Sequence, residues 1–217
     1  MLDPLAYLKK PVYCVNSKPR FIYFLALYGL YIVSAISLSV VIYIICKMCH
    51  LEHEEIGLTK WLKILAVFIL APISEEVLFR GLLKFKKSNI VLFISIVVAL
   101  IGYSVFQSHL FIVISLSIFL FSLLGLLIFF SISKIELFIA ANFKYFFYAS
   151  SISFGLIHAT NFAGNVYAIM AFSYILGSPQ IVLGFILGYI RMNYGLVYSI
   201  LFHMAVNITV LFSIFHK

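Results

Sequence analysis

Residues 72–81 read Pro72-Ile73-Ser74-Glu75-Glu76-Val77-Leu78-Phe79-Arg80-Gly81, three charges set inside an apolar run that extends from about Trp61 to Leu83. A spanning helix needs about 20 apolar residues, and this run has that length. A charge inside such a span costs about 2.5–3.5 kcal/mol on insertion scales, so charged groups there are functional candidates by default. Glu76 and Arg80 are four apart and share a helix face, with Glu on the N-terminal side, the better orientation for an ion pair. They can neutralise each other. Glu75 lies about 100° around the helix from Glu76 and has no partner four residues away. Its carboxylate needs a partner on another helix, a proton, or water to act on. A carboxyl group beside another carboxylate in low dielectric suits a general base working near neutral pH. The alternative reading is a structural ion pair beside a neutral glutamic acid that packs helices.

The surrounding chain fits a membrane setting. Of 217 residues, 65% are hydrophobic and 10% charged, where a soluble domain has about 45–50% and about 25%. Mean hydropathy is +1.17. These values exclude a soluble globular domain, and they exclude disorder, which needs low hydrophobicity and high charge. The apolar runs are continuous rather than alternating, so helices are expected rather than barrel strands. The net charge of +8 sits at the flanks of apolar runs, where it sets topology and meets anionic lipid. No basic, aromatic-interleaved soluble stretch exists, so no nucleic-acid partner is expected.

Seven apolar runs are legible. The first is about Phe21–Cys46, preceded by Lys9, Lys10, Lys18 and Arg20, which argue for a cytoplasmic N-terminus. The polar loop 47–60 follows, then the charged run already quoted, closed by Lys84, Lys86 and Lys87. The third and fourth are about Ile90–Phe106 and Leu110–Ser133, and the stretch 135–144 is expected along the interface. The fifth is about Tyr145–Asn161. The sixth, Val166–Ile190, is interrupted at Gly177-Ser178-Pro179, where proline removes a helical hydrogen bond. Arg191 closes it as an anchor at the cytoplasmic surface, and the last run is about Gly195–Phe215. The expectation is an all-α polytopic transmembrane bundle of seven or eight spans. It forms a single domain over residues 1–217, with its active site within the membrane.

Two further pairs repeat the spacing of four: Phe154 with His158, and His203 with Asn207. A lone intramembrane His is most often a hydrogen-bonded core residue. Two of them, an Asn and a free Glu in one small bundle also match a hydrolytic site. Depth is a partial check. Glu75 and His203 each lie eight residues from their cytoplasmic span ends, or ~12 Å, whereas His158 lies fourteen residues beyond Lys144, or ~21 Å. By backbone rise His158 is deeper than the other two, unless its helix begins inside the membrane.

Glu75-Glu76-x-x-x-Arg80, Phe154-x-x-x-His158 and His203-x-x-x-Asn207 resemble, in order, the three motifs of the CPBP (Abi) family of intramembrane proteases, which includes the type II CAAX prenyl endopeptidases. Phe79, Gly81, Ser153, Gly155 and Asn161 also resemble the family, and the resemblance covers 71–207. It implies an intramembrane endopeptidase acting on a membrane-associated protein or peptide, including prenylated CAAX-type substrates. Glu75 and His158 would activate water, Glu76 and Arg80 would form a supporting pair, and neutral His203 and Asn207 would stabilise the oxyanion. Zinc held by Glu75, His158 and His203 with water as the fourth ligand is compatible with the residues; without an HExxH motif, a metal-free glutamate mechanism is favoured.

The composition resembles bacterial members, several of which resemble bacteriocin-immunity proteins, so a bacterial plasma membrane is the expected location. A non-catalytic membrane immunity or partner protein, and a small transporter with broken helices, are the alternatives. Cys46-Lys47-Met48-Cys49-His50 matches the haem-attachment pattern CxxCH. Without a soluble haem fold around it, an interfacial disulfide or two free thiols is expected instead. The oligomeric state is not legible.

Overall fold

The computed structural model describes residues 4–13, 20–54, 57, 59–84, 93 and 132–215. Nearly all of the third and fourth apolar runs lie outside the described residues, as do Cys14, His109 and His216.

The chain is mostly helical. A short helix α1 (Pro4–Lys9) precedes α2 (Phe21–Cys49). After a two-residue strand β1 (Glu52–His53) comes α3 (Lys60–Leu65), a π-turn (Ala66–Leu70), α4 (Ala71–Arg80) and a 3₁₀ turn (Gly81–Leu83). Further on lie α5 (Ile132–Ala141), α6 (Phe143–His158), β2 (Phe162–Ala163), α7 (Val166–Leu176), α8 (Ser178–Asn193) and α9 (Leu196–Phe215).

Among the described residues, α2 alone is long and apolar enough to cross a bilayer. It runs three residues past the expected end at Cys46. Lys47 remains helical, with its ammonium 5.7 Å from the Tyr43 ring, and a long basic side chain at a helix end can lift its charge out of the apolar layer. His50, with φ 53°, closes the helix in the left-handed region, and its amide bonds the Cys46 carbonyl. Cys46 and Cys49 are free thiols. Helices α7 and α8 together are apolar enough for one span, bent by 40° at their junction. That break falls at Gly177, as the Gly-Ser-Pro stretch predicts, and Pro179 sits in the first turn of α8, where a missing N–H costs nothing.

Helix α8 is the axis of the core. Leu183, Ile186, Leu187, Ile190 and Met192 are each at most 2% exposed. It lies so close to α6 that a Cβ on Gly184 would come within 2.8 Å of the Ser151 carbonyl, and one on Gly188 within 2.7 Å of the Phe147 ring. Small residues at such a seam let two backbones approach, the usual device for helix packing in lipid. By contrast, α2 exposes Phe21, Ile22, Val33, Ile36 and Val40, an outward face suited to lipid.

The N-terminal segment is tied down. Tyr7 is 1% exposed and meets Phe147 and Tyr189 edge-on. The Tyr148 hydroxyl donates to the Leu8 carbonyl at 2.7 Å, and the Tyr13 hydroxyl to Glu136 at 2.7 Å. At the other end of the bundle, β1 pairs antiparallel with β2, Glu52 opposite Ala163 and His53 opposite Phe162. The loop 47–60 thus contributes a strand that its polar composition did not announce.

Candidate active site

Three helices bring the motif residues together, and their directions are readable from contacts. On α6, Ser150 donates to the Phe79 carbonyl at 2.6 Å, and His158 faces Glu75, so α4 and α6 run antiparallel. On α9, Ser199 bonds Glu76 and Asn207 bonds Val67, so α9 is antiparallel to α4 as well.

Glu76 and Arg80 form the expected pair. Arg80 Nη1 lies 3.2 Å from Glu76 Oε1, and both side chains are 0% exposed. Three more contacts enclose them. The Ser199 hydroxyl donates to Glu76 Oε2, His203 Nδ1 sits 3.2 Å from Glu76 Oε1, and the Arg80 guanidinium lies 4.1 Å over the Phe154 ring. A buried cation over an aromatic face is attracted by the ring quadrupole. Gly184 makes the room, since a Cβ there would stand 3.2 Å from Arg80 Nη2.

Glu75 is held differently. Its side chain is 25% exposed, with Oε1 3.9 Å from His158 Nε2 and Oε2 3.6 Å from His203 Nε2. The missing partner expected on another helix is therefore two imidazoles on two helices. Phe154 meets both rings edge-on, with centroids 4.6 Å from His158 and 5.7 Å from His203. One aromatic side chain thus orients both histidines and the arginine.

The depth argument against His158 fails for a specific reason. Side chains on a helix lean towards its N-terminus. Because α4 and α6 are antiparallel, Glu75 and His158 lean towards each other, and backbone rise overstates their separation. The ring of His158 is also fixed. Its Nδ1 lies 2.8 Å from the Phe154 carbonyl, and a carbonyl only accepts, so Nδ1 carries a hydrogen. In the neutral ring, Nε2 is then a bare lone pair aimed at Glu75.

Asn207 reaches the backbone before α4. Its Nδ2 donates to the Val67 carbonyl at 2.8 Å. Arg191 departs from its expected surface position. It is 5% exposed, and its Nε donates to the Arg80 carbonyl at 3.0 Å. That carbonyl lies at the end of α4, where it hands over to the 3₁₀ turn Gly81–Leu83, and its second lone pair receives the guanidinium N–H. Ser199 was not foreseen at all. The legible signal is its place four residues before His203, on the same face of α9.

A family model described as "Type II CAAX prenyl endopeptidase Rce1-like" matches residues 57–209, more than two thirds of the chain. The chain belongs to that family. It is accordingly a member of a membrane-embedded family of CAAX-type proteases, and the match spans every residue of the cluster above. No curated protein and no solved structure matches the chain.

Proposed function

We propose that this Rce1-like protein hydrolyses a peptide bond of a membrane-associated substrate with a water activated by Glu75. The observation that carries the proposal is the facing pair Glu75 Oε1 and His158 Nε2, 3.9 Å apart. With Nδ1–H committed to the Phe154 carbonyl, both groups are hydrogen-bond acceptors. Polar groups at this separation are commonly bridged by water, and a water donating one hydrogen to each satisfies both. Both of its lone pairs are then free, and one can attack a carbonyl carbon.

In the forward step the water oxygen bonds to the scissile carbon, and its proton on the Glu75 side passes to the carboxylate. The carbonyl becomes an oxyanion. Glu75 returns the proton to the amide nitrogen as the C–N bond breaks, leaving a carboxylic acid and an amine. A positioned base of this kind typically contributes about 10²–10⁴-fold. Glu76 and Arg80 hold the helix and the local charge in place.

His203 and Asn207 are the oxyanion donors in this reading: His203 lies against both carboxylates, and Asn207 Nδ2 keeps a second N–H beside the one given to the Val67 carbonyl. Without an HExxH motif, the glutamate type is favoured over a zinc site formed by Glu75, His158 and His203. Among the described residues, no group of three His, Cys, Asp or Glu side chains is arranged to hold a metal ion.

The test is cleavage of labelled prenylated and unprenylated peptides by the purified protein beside Glu75→Gln, with and without chelator. Cleavage that is lost in the variant and indifferent to chelator is the expected result. Loss on chelation with recovery on adding zinc would overturn the glutamate mechanism. Dependence on the prenyl group would identify the substrate as CAAX-type.

A further inference from the structure

Arg80 is not the only guanidinium buried in the bundle. Arg191, two residues from the end of α8, is 5% exposed. Its Nε donates to the Arg80 carbonyl at 3.0 Å, which fixes where the rest of the group points. Beyond Nε the group is unanswered. Nη2 is buried and has no hydrogen-bond partner among the described residues, and none of the ion pairs among them includes Arg191. Arg80 has Glu76 at 3.2 Å and the Phe154 ring beneath it; Arg191 has no such counterpart among the described residues. Two acidic groups act on it from a distance, Tyr13 and Glu76. Tyr13 is a phenol, neutral at ordinary pH, and Glu76 is already enclosed by Arg80, Ser199 and His203.

A buried charge is costly unless it is paired, and a buried donor without a partner calls for a reason. The planar guanidinium is matched in shape to a carboxylate. Its place suits an anion as well. Arg80 is the last residue of α4 and Arg191 stands near the end of α8, so an anionic group arriving there need not cross the apolar layer. The group is also held in advance. Lys84, just past α4, donates to the Met192 carbonyl at 3.1 Å, while Arg191 donates back to Arg80. The ends of the two helices thus clasp each other in both directions.

Helix α4 supplies a ruler. Glu75 and Arg80 are five residues apart, about 7.5 Å along the axis at 1.5 Å per residue. A CAAX end has three residues beyond its cysteine, and three extended residues span about 10 Å. A peptide cut after that cysteine is therefore long enough to bring its terminal carboxylate to a donor held at the Arg80 carbonyl. We propose that Arg191 is a specificity-determining residue: its guanidinium binds the C-terminal carboxylate of the substrate, three residues beyond the bond attacked at Glu75. This rests on the peptidase reading above and makes the site a reader of chain ends.

Arg191→Gln in the full-length protein tests it. The glutamine Nε2 takes the position of the arginine Nε, so the bond to the Arg80 carbonyl is kept and only the end of the guanidinium is lost. Labelled prenylated peptides ending in a carboxylate and in a carboxamide are compared in both proteins. The wild type is expected to prefer the carboxylate by about 10–100-fold in kcat/KM, the usual size for a hydrogen bond to a charged group, with the difference in KM. In Arg191→Gln the preference should vanish through loss on the carboxylate peptide. Equal use of the two peptides by the wild type, or an undiminished preference in the variant, would overturn the inference. So would an equal loss on both peptides, which would make Arg191 a support for α4 alone.

Two readouts need no turnover. Because Nη2 has no partner to lose, Arg191→Gln should melt no lower than the wild type in detergent. A marked drop would show the guanidinium to be structural and overturn the assignment. If the wild type cleaves neither peptide, the peptidase reading falls, and binding of the same two labelled peptides by fluorescence anisotropy rules on Arg191 by itself. Tighter binding of the carboxylate peptide, lost in Arg191→Gln, upholds the contact; equal binding of the two by the wild type overturns it.

Discussion

Glu75 and Glu76 are neighbours on one helix, yet they occupy opposite kinds of site. Glu76 is wholly buried and saturated by Arg80, Ser199 and His203 at or near hydrogen-bond distance. Glu75 keeps a quarter of its side chain open, and its partners stand at 3.6 and 3.9 Å. A buried carboxylate with both oxygens engaged has little left for a substrate. One that is held loosely between two imidazoles retains both access and basicity. On the proposed mechanism, the same residue type, one position apart, is structural where it is enclosed and reactive where a gap is left.

The sharpest way to break that contrast is to neutralise each glutamate in turn. Glu75→Gln should lower peptidase activity by about 10²–10⁴-fold, the usual contribution of a general base. Its melting temperature in detergent should stay close to wild type. Glu76→Gln should instead lower the melting temperature strongly, because Arg80 loses its counter-charge. If Glu75→Gln proves the more destabilised of the two, the assignment is reversed.

Next in size is Arg80→Met. Removing one partner of a buried ion pair strands the other charge, which typically costs about 3–5 kcal/mol. The yield of folded protein and the denaturant midpoint should both fall. A smaller effect is expected for Ser199→Ala. A hydrogen bond to a charged group contributes about 1.5–3 kcal/mol, and its loss should show as reduced stability before any change in KM.

The smallest test lies far from the carboxylates, outside the spans. Partial burial and the hydrogen bond to Glu136 push the Tyr13 phenol up to about 12. A raised phenol stabilises the fold fully below about pH 10, its ordinary value, and loses that contribution as pH climbs through 12. Tyr13→Phe should therefore narrow the alkaline stability difference over that window and leave activity near neutral pH unchanged. An identical alkaline profile in the variant would remove the N-terminal contact from the account.

How much of this was legible depends on which interactions are local. The Glu76–Arg80 pair follows from a spacing of four. So does the need of Glu75 for an outside partner, since nothing on its own face answers it. The break at Gly177 follows from proline chemistry. What sequence periodicity misses is direction across helices. His158 looked too deep because rise per residue ignores the opposing lean of side chains on antiparallel helices. Arg191 looked like a surface anchor because the Arg80 carbonyl that accepts from it lies on a helix more than a hundred residues away. Ser199 lies four residues before His203 but outside the motif that His203 opens, and Phe154 is legible as a motif position but not as the ring that touches three charged or titratable groups.

The two-residue ribbon has a consequence for assembly. Its strands are more than a hundred residues apart in the chain, so closing it shuts a very long loop, and contacts of such separation form slowly. β2 begins four residues after His158, and the Glu54 amide holds the Asn161 carbonyl beside it at 2.7 Å. The end of α6 is therefore moored by a stretch, Glu52–Glu54, that lies outside residues 57–209. During biosynthesis that mooring segment leaves the ribosome early and then waits for its counterpart. The histidine that faces Glu75 sits at the end of the helix this ribbon moors, so the mooring of that end is expected among the late events of the protein's maturation.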